Sequence, residues 1–534
     1  MKNSRLSFPP KTGAALLLTV VLLTTAPMAR AAQLLYSNDV LGEIEPCGCR
    51  SNPLGGMARK AGLIKKLEDK SMLQLDGGDL LFQSDSLPGA LEKQAELQAS
   101  YLIKAMNEVH HDAVVPGEKD FALGYKIFEK LRSKAKFKFL AANLRLKKGG
   151  KNPFAAHEIY IRKNNGKPIR IAVFGLVGEA IKMPSELRVT ASLAAAKSEV
   201  KALRSQADIV IALTHQGYDA DVALAKAVSG IDIIVGGHTQ SFLQEPPLVR
   251  KTRIYQSSFR NQYIGVLPLV VPFKGADHQL LGLDAGYDSP ANTPGPVDKI
   301  ASEAKKKIGD LNSKAELDLM KENESAPGQP KIAKYQTFPR CAECHLKQFN
   351  FWRKTKHAQA LSALMEKDQY KNRECLGCHT VGLDEKDGEG FHDVTRLAER
   401  KTVNTETSSE EIKPLTTEEW SEYLKKMVDA DNLNTEVKIS SDDSEKQPLK
   451  RTLNIVSRAW SPVQCENCHM PGKDHPFSST YIYKKTVAKD ACLKCHTAER
   501  APEWYTKPGQ PDWEKIASKR VLVTCPAGDL ALEE

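Results

Sequence analysis

A chain of 534 residues exceeds one ordinary domain, so two or three domains are expected. With 41% hydrophobic, 27% charged and 7% aromatic residues, its composition is that of a soluble globular protein. Basic residues outnumber acidic ones 76 to 66, but the net charge of +10 is spread along the chain with only short clusters such as Lys147-Lys148, a solvated surface and not a nucleic-acid face.

Lys2, Arg5 and Lys11 precede the apolar run Ala14 to Leu23, and a small-residue stretch ends in Ala29-Arg30-Ala31. That order predicts a secretory signal peptide over 1–31, a mature chain from Ala32, and a periplasmic or extracellular location. The apolar run is too short for a permanent membrane helix, and no later segment is long enough, so no transmembrane segment is expected in the mature chain.

From Leu34 to about Val271, short apolar strands alternate with amphipathic segments. Strands are expected at 34–37, 72–75, 113–115, 169–174, 209–213, 231–235 and 265–271, and helices at 57–67, 92–109 and 192–204. The pattern predicts a layered α/β fold, with polar residues gathered at strand ends where such folds place their sites.

Those strand ends read Ser37-Asn38-Asp39, Gly77-Gly78-Asp79, Gly117-Glu118-Lys119-Asp120, Thr214-His215-Gln216-Gly217 and Gly236-Gly237-His238-Thr239-Gln240. In order and spacing they resemble the calcineurin-like metallophosphoesterases, most of all the periplasmic 5'-nucleotidase branch, as do Gly55-Gly56-Met57-Ala58-Arg59 and Asp232 to His238. The resemblance implies a layered α/β sandwich and two metals that activate water and clamp phosphoryl oxygens.

The match is partial. Asp39 fills the family's first Asp position, but the His two residues later is Leu41. Asp79 matches the bridging Asp, and His215 and His238 match ligands of one metal. Where the family has Gly-Asn-His-Glu, this chain has Glu118 for the Asn ligand and Lys119 for the catalytic His, with Asp120 last; the final ligand His is Gln240. The resemblance thus implies metal ligands among Asp39, Asp79, Glu118, His215, His238 and Gln240, with Lys119 and Asp120 at the catalytic positions. One site keeps a credible set, Asp79, Glu118, His215 and His238, for Mn, Zn or Fe. A one-metal or metal-free domain stays open beside a two-metal enzyme. Cys47 and Cys49 follow the Asp39 strand and are read as thiolate ligands, a redox pair, or one half of a disulfide to Cys525.

Between Pro294-Gly295-Pro296 and Ala326-Pro327-Gly328-Gln329-Pro330, helical spacing around 297–320 predicts a helical linker over 293–333. Behind it come Cys341-Ala-Glu-Cys344-His345, Cys375-Leu-Gly-Cys378-His379, Cys465-Glu-Asn-Cys468-His469 and Cys492-Leu-Lys-Cys495-His496. Each is a C-x-x-C-H haem-attachment motif: two thiols one helical turn apart reach the porphyrin, and the next His supplies an axial nitrogen. A redox dithiol or half a zinc site would explain one motif but not four. Four covalently bound haem c groups are expected.

Beyond these motifs, Pro339 to Glu534 holds only His357, His392 and His475, three imidazoles for four irons. A His from the first domain, a Met or Lys, or an open iron must make up the difference. The motifs with Phe351-Trp352, His357-Ala358, Gly390-Phe391 and Val463 to Gly472 resemble the tetrahaem cytochromes associated with hydroxylamine oxidation. That resemblance implies His357 and His475 as distal ligands and leaves His392 a third. It covers roughly 334–498, and a mostly helical, loop-rich domain is expected at 334–500 with an insertion at about 398–457, followed by a tail at 501–534 and preceded by a phosphoesterase-like domain at 32–292.

Three functions follow: electron transfer with periplasmic or outer-membrane redox partners; hydrolysis of a phosphoester or nucleotide at the front metal site; or redox chemistry at an open haem.

Overall fold

The computed structural model describes residues 32–46, 53–67, 71–164, 166–325, 335–383, 399–403, 410–414, 463–469, 471–472, 487–498, 500–507 and 509–526. The expected signal segment, Cys47, Cys49, His392, His475, Gly390-Phe391 and most of the insertion lie outside these residues, as does the side chain of Cys344.

Period-2 patterning builds two six-stranded sheets. The first runs, across the sheet, Gln279–Gly282, Tyr263–Pro268, Gln33–Ser37, Leu73–Asp76, Ala113–Val114 and Lys138–Phe139. The second runs Leu248–Val249, Thr252–Tyr255, Ile233–Gly236, Ile209–His215, Lys167–Val177 and His157–Asn164. Inner strands are parallel: Leu34 pairs with Leu73, and Ile233 with Ile211. Antiparallel strands close the edges of the second sheet, and two lie at one edge of the first.

Alternate residues part into layers. Leu34 and Tyr36 of the first sheet meet Ile171, Val173, Ile209 and Ile211 of the second in one core. Their neighbours face outward: Leu35 packs with Leu63 of the helix Met57–Leu67. On the second sheet, Ala172 and Phe174 pack with Ala196 and Leu203 of the helix Ser192–Leu203 and with Leu224 of the helix Tyr218–Ala227. This is a helix–sheet–sheet–helix sandwich, in which the inner parallel strands bury both faces.

Strands were expected where the runs are continuously apolar, and the edge strand His157–Asn164 was not. Its His, Arg, Lys and Asn positions stay partly exposed and mask the alternation. It forms through pairing with Lys167–Val177 across eight residue pairs.

The linker segment is a helix, Pro296–Ser325, whose Val297, Ile300, Ala301 and Ala304 join the front domain's core. That apolar face packs it against the helix Gly89–Glu108. Behind it the described residues are mostly helical: Thr337–Cys344, Leu346–Trp352, Ala360–Glu366, Arg373–His379 and Cys465–His469. The segment past Arg500, expected as a tail, contains a short hairpin (Tyr505–Lys507 with Gln510–Pro511) and a helix, Trp513–Arg520. Within the insertion, Glu399–Val403 pairs antiparallel with Glu410–Pro414. Among the described residues no helix is long and apolar enough to cross a membrane.

Candidate metal centre and haem cluster

The parallel strands of both sheets deliver their carboxyl ends to one place. Asp39 follows the strand ending at Ser37, Asp79 follows the one ending at Asp76, and Glu118 follows Ala113–Val114. His215 ends its strand, and His238 comes two residues after Gly236. The backbone bends sharply at these points: Asp39, Asp79, His238 and Gln240 have φ of 52°, 53°, 75° and 54°. Left-handed non-glycine residues cost about 1–3 kcal/mol each and gather where geometry serves function.

Glu118, His215 and His238 offer ligand atoms within 4.8 Å of one another, the one such group of His, Cys, Asp or Glu among the described residues. His215 Nε2 lies 2.9 Å from Glu118 Oε2 and 3.5 Å from Asp79 Oδ1. His238 Nδ1 comes to 3.2 Å from Glu118 Oε1 without hydrogen-bond alignment. The His215 Nδ1–H donates to the Gly77 carbonyl at 2.7 Å, which fixes the tautomer and leaves the Nε2 lone pair for a metal. Gly117 makes this approach possible: a Cβ there would sit 2.2 Å from Asp79 Oδ1.

The electrostatics call for positive charge. Burial disfavours the charged form of His215, but Asp79 and Glu118 outweigh it and lift the imidazole to about 10. Burial likewise opposes ionisation of Glu118, yet His215, His238 and Lys119 together hold it far below the usual carboxylate range. Asp39 is pushed up to about 7, first by burial and then against the pull of His215 by the neighbouring Asp79. Three buried or half-buried carboxylates around two imidazoles form a donor set of hard oxygens and borderline nitrogens that fits Mn, Zn or Fe.

The remaining expected residues fall into distinct places. Asp39 Oδ2 accepts from the His238 N–H at 3.1 Å and from Asn38 Nδ2 at 2.8 Å, while its buried Oδ1 has no hydrogen-bond partner. Lys119 points its ammonium at Asp79 Oδ2, and burial of that amine is outweighed by Asp79 so that its affinity for the proton rises. Asp120 is fully buried and accepts from the Leu81 and Gly117 backbone N–H groups, both at 2.8 Å, so it ties the two ligand loops together. Gln240 lies half-buried past His238 on the same turn. Leu41 is buried and carries no donor atom.

Two organisers were not singled out from sequence. Asn38 fixes Asp39 and accepts from Ser257 N–H at 2.6 Å, and only its place at a strand end hinted at this. Asp221, raised to about 6 by burial, accepts from Thr214 Oγ1 at 2.7 Å and Gln216 Nε2 at 2.9 Å, and so braces both neighbours of His215. It lies in a helix, where an acidic residue in the first turn reads as a helix-start signal.

In the C-terminal region each C-x-x-C-H motif occupies a helical turn, including the 3₁₀ turn Ala491–Lys494. The thiols of Cys341 and Cys465 are hydrogen-bond partners, as are those of Cys378 and Cys495, so the first motif adjoins the third and the second adjoins the fourth. Trp352 Nε1–H donates to the Val463 carbonyl at 2.9 Å, and Asn467 Nδ2 donates to the Thr380 carbonyl at 3.0 Å. Cys375, Cys468 and Cys492 complete the described motif cysteines, His345 is exposed, and Cys525 is a free, exposed thiol.

These residues fit haem. His379 Nδ1–H donates to the Ala360 carbonyl at 2.6 Å, leaving Nε2 for an iron. The rings of His357 and His496 lie with their centroids 6.3 Å apart, tilted by 55°. Two imidazoles on opposite sides of one metal, with bonds of about 2 Å, bring their centroids to about 6 Å. Trp504 stacks on His496 at 4.2 Å and 6°, which fixes the plane of that ring. His469 is half-buried at the end of its helix.

Residues 340–408 match the family described as Cytochrome c554 and c-prime. The 5'-nucleotidase of Homo sapiens is 29% identical over 239 residues, covering 41% of this chain and 40% of that protein. The 5'-nucleotidase of Vibrio vulnificus (strain CMCP6) is 30% identical over 219 residues, covering 37% and 38%. The chain spans about two fifths of the length of these curated relatives. Among solved structures, a 5'-nucleotidase precursor from Thermus thermophilus superposes with a TM-score of 0.44 at 19% identity, covering 63% of this chain and 68% of its own. The chain is thus similar to 5'-nucleotidases over 219 to 239 residues, and its residues 340–408 are similar to cytochrome c554.

Proposed function

We propose that this protein is an exported c-type cytochrome that carries electrons through four haems, fused to a phosphoesterase domain with an altered metal site. The observation that carries the electron-transfer reading is the meeting of the four motifs: thiol pairs Cys341/Cys465 and Cys378/Cys495 touch, so attached porphyrins are close neighbours. Electrons pass between neighbouring redox centres without any protein bond being made, so closeness is the main structural requirement. Cys341, Cys344, Cys375, Cys378, Cys465, Cys468, Cys492 and Cys495 hold the haems, with His345, His379, His469 and His496 as proximal ligands. His357 is the distal ligand of the haem held by Cys492 and Cys495; His475 and His392 serve two others. One iron then lacks an imidazole on its far side. Periplasmic or outer-membrane cytochromes are the fitting partners, given the signal-like N-terminus. Haem quantitation tests the count: four per chain are expected, and rapid reduction by a small periplasmic cytochrome tests the role. Fewer than four haems, or no electron exchange, defeats this reading.

A second reading rests on the Glu118, His215 and His238 group. The front domain binds one divalent ion and hydrolyses a phosphoester, with a nucleotide as one candidate substrate. The ion would polarise a phosphoryl oxygen and a water; His215, held through Nδ1, keeps the donor set in place. Asp79 and Lys119 supply opposite charges beside the reacting group, and Asp120 positions their loops. Hydrolysis of aryl phosphates by the manganese-loaded protein, lost in His215→Ala, is the test; no turnover with Mn, Zn or Fe removes the hydrolase.

A further inference from the structure

Lys119 stands where the family resemblance puts a catalytic imidazole, and its surroundings give it another task. Its backbone N–H donates to Asp79 Oδ1 at 2.9 Å, and its ammonium pairs with Asp79 Oδ2. One residue therefore grips both oxygens of the carboxylate that corresponds to the metal-bridging Asp. The same ammonium lies 3.5 Å from Glu118 Oε1. The contact is sheltered, with the Lys119 side chain 16% exposed and that of Asp79 fully buried.

The second ion's donors are correspondingly poor. Leu41 supplies none and is buried. What remains is Asp39, the Gln240 amide, and an Asp79 oxygen already taken by an ammonium. Asp39 keeps one buried oxygen unpaired, yet its other oxygen is engaged by Asn38 and the His238 N–H. The charges agree. Asp39, Asp79 and Glu118 against Lys119 leave a formal deficit of two positive charges, which one divalent ion removes. A second would be repelled by the ammonium at close range and low dielectric. The two departures at Glu118 and Lys119 also compensate each other: a carboxylate added to the donor set comes with a cation at the next residue.

We propose that the Lys119 ammonium is the second cation of this site, so that a single divalent ion is held by Glu118, His215 and His238 while Lys119 occupies Asp79 on the side where a second ion would bind. The inference rests on the reading that the front domain binds a metal, and it goes beyond it by fixing the number of ions and naming what replaces the other. Lys119 is then a charge-supplying, positioning residue and not a proton donor in the manner of a histidine.

The haem-loaded full chain, freed of divalent ions by chelation and titrated with Mn(II), gives the test, because bound and free manganese are separable by electron paramagnetic resonance. One Mn(II) per chain is expected in the wild type, without the spectral signature of a coupled pair. Lys119→Met is expected to raise the capacity from one to two at saturating Mn(II), whereas Lys119→Arg keeps it at one. Lys119→Gln, a second neutral replacement, is likewise expected to raise the capacity to two and covers the case that Lys119→Met does not fold. Two ions in the wild type, one ion in folded Lys119→Met, or one ion in folded Lys119→Gln each overturn the inference. No ion in the wild type overturns the metal-binding reading itself, a result distinct from the other three.

Discussion

The side-chain amide of Gln94, on the helix Gly89–Glu108 of the front domain, donates to Asn372 Oδ1 at 2.7 Å. Asn372 is the N-cap of the helix that carries Cys375, Cys378 and His379, and the same Oδ1 accepts from the Glu374 N–H at 3.1 Å. Gln94 Oε1 in turn accepts from Asn312 Nδ2 at 2.8 Å, and Asn312 also donates to the Lys371 carbonyl at 2.7 Å. One buried amide thus links the phosphoesterase-like fold, the long helix Pro296–Ser325 and a haem-attachment helix.

Replacing Gln94 by Leu takes the acceptor away from an Asn312 side-chain N–H and from the Arg373 backbone N–H, a loss of about 1–3 kcal/mol for each group left unsatisfied. Hydrogen exchange across 373–379 is expected to accelerate at least about tenfold, since about 1.4 kcal/mol is a factor of ten. Unchanged protection would show that the haem helix stands without the front domain.

His357→Ala is expected to convert one haem of the set from six-coordinate low-spin to high-spin while leaving four haems attached. The motivation is the separation of the His357 and His496 rings, 6.3 Å between centroids. A spectrum indistinguishable from that of the wild type removes His357 as a ligand. Magnetic circular dichroism of the oxidised protein reads the change.

Chelation should separate the two halves of the molecule. Removing divalent ions is expected to abolish any phosphoester hydrolysis at the Glu118, His215 and His238 site while the haem absorption spectrum stays as it was. Thioether attachment survives a chelator; a dative carboxylate–imidazole site does not. Hydrolysis that persists after chelation would place the activity elsewhere.

Charge predicts the class of ester. With one divalent ion and Lys119, the pocket's formal charge is neutral, whereas two ions would leave it strongly positive. Singly charged diesters are therefore expected to be hydrolysed with a higher kcat/KM than doubly charged monoesters of the same leaving group. Paired assays on a nitrophenyl diester and monoester decide it, and a clear monoester preference contradicts the charge count.

His111 gives a pH dependence away from the metal centre. It is buried against Phe137, its Nε2–H donates to the Ala113 carbonyl at 3.0 Å, and burial followed by the nearby Lys60 holds its pKa well below the ordinary value of about 6.5. The folded state therefore refuses a proton that the unfolded chain accepts, so this contribution to stability is present above pH about 6.5 and is lost as pH falls. Each pH unit below that value costs at most about 1.4 kcal/mol until the folded pKa is reached. In His111→Gln the urea midpoint, followed by circular dichroism, should fall less between pH 7 and 5 than in the wild type. Parallel pH profiles would sink the assignment.

Much of the front fold was legible because its inner strands are continuous apolar runs bounded by glycines: Ile209–His215 and Ile233–Gly236 announce themselves. The edge strand His157–Asn164 was not, since it is half-exposed and owes its form to its partner. The helix Pro296–Ser325 was legible as a helix but not as part of the front core, because its apolar face fits a linker and a buried helix equally well.

The sequence by itself marked the four C-x-x-C-H motifs, because thiol spacing and the adjacent His are local and survive any arrangement of the chain. It also marked Asp39, Asp79, Glu118, His215 and His238 as strand-end residues, since strand ends are read from composition. Only the tertiary structure decided what these residues do to one another. Glu118 meets two imidazoles that lie 97 and 120 positions away, and Lys119 turns onto Asp79, 40 positions back. Such contacts depend on which strands become neighbours in two stacked sheets, and no local pattern encodes the direction in which a side chain at a loop will point.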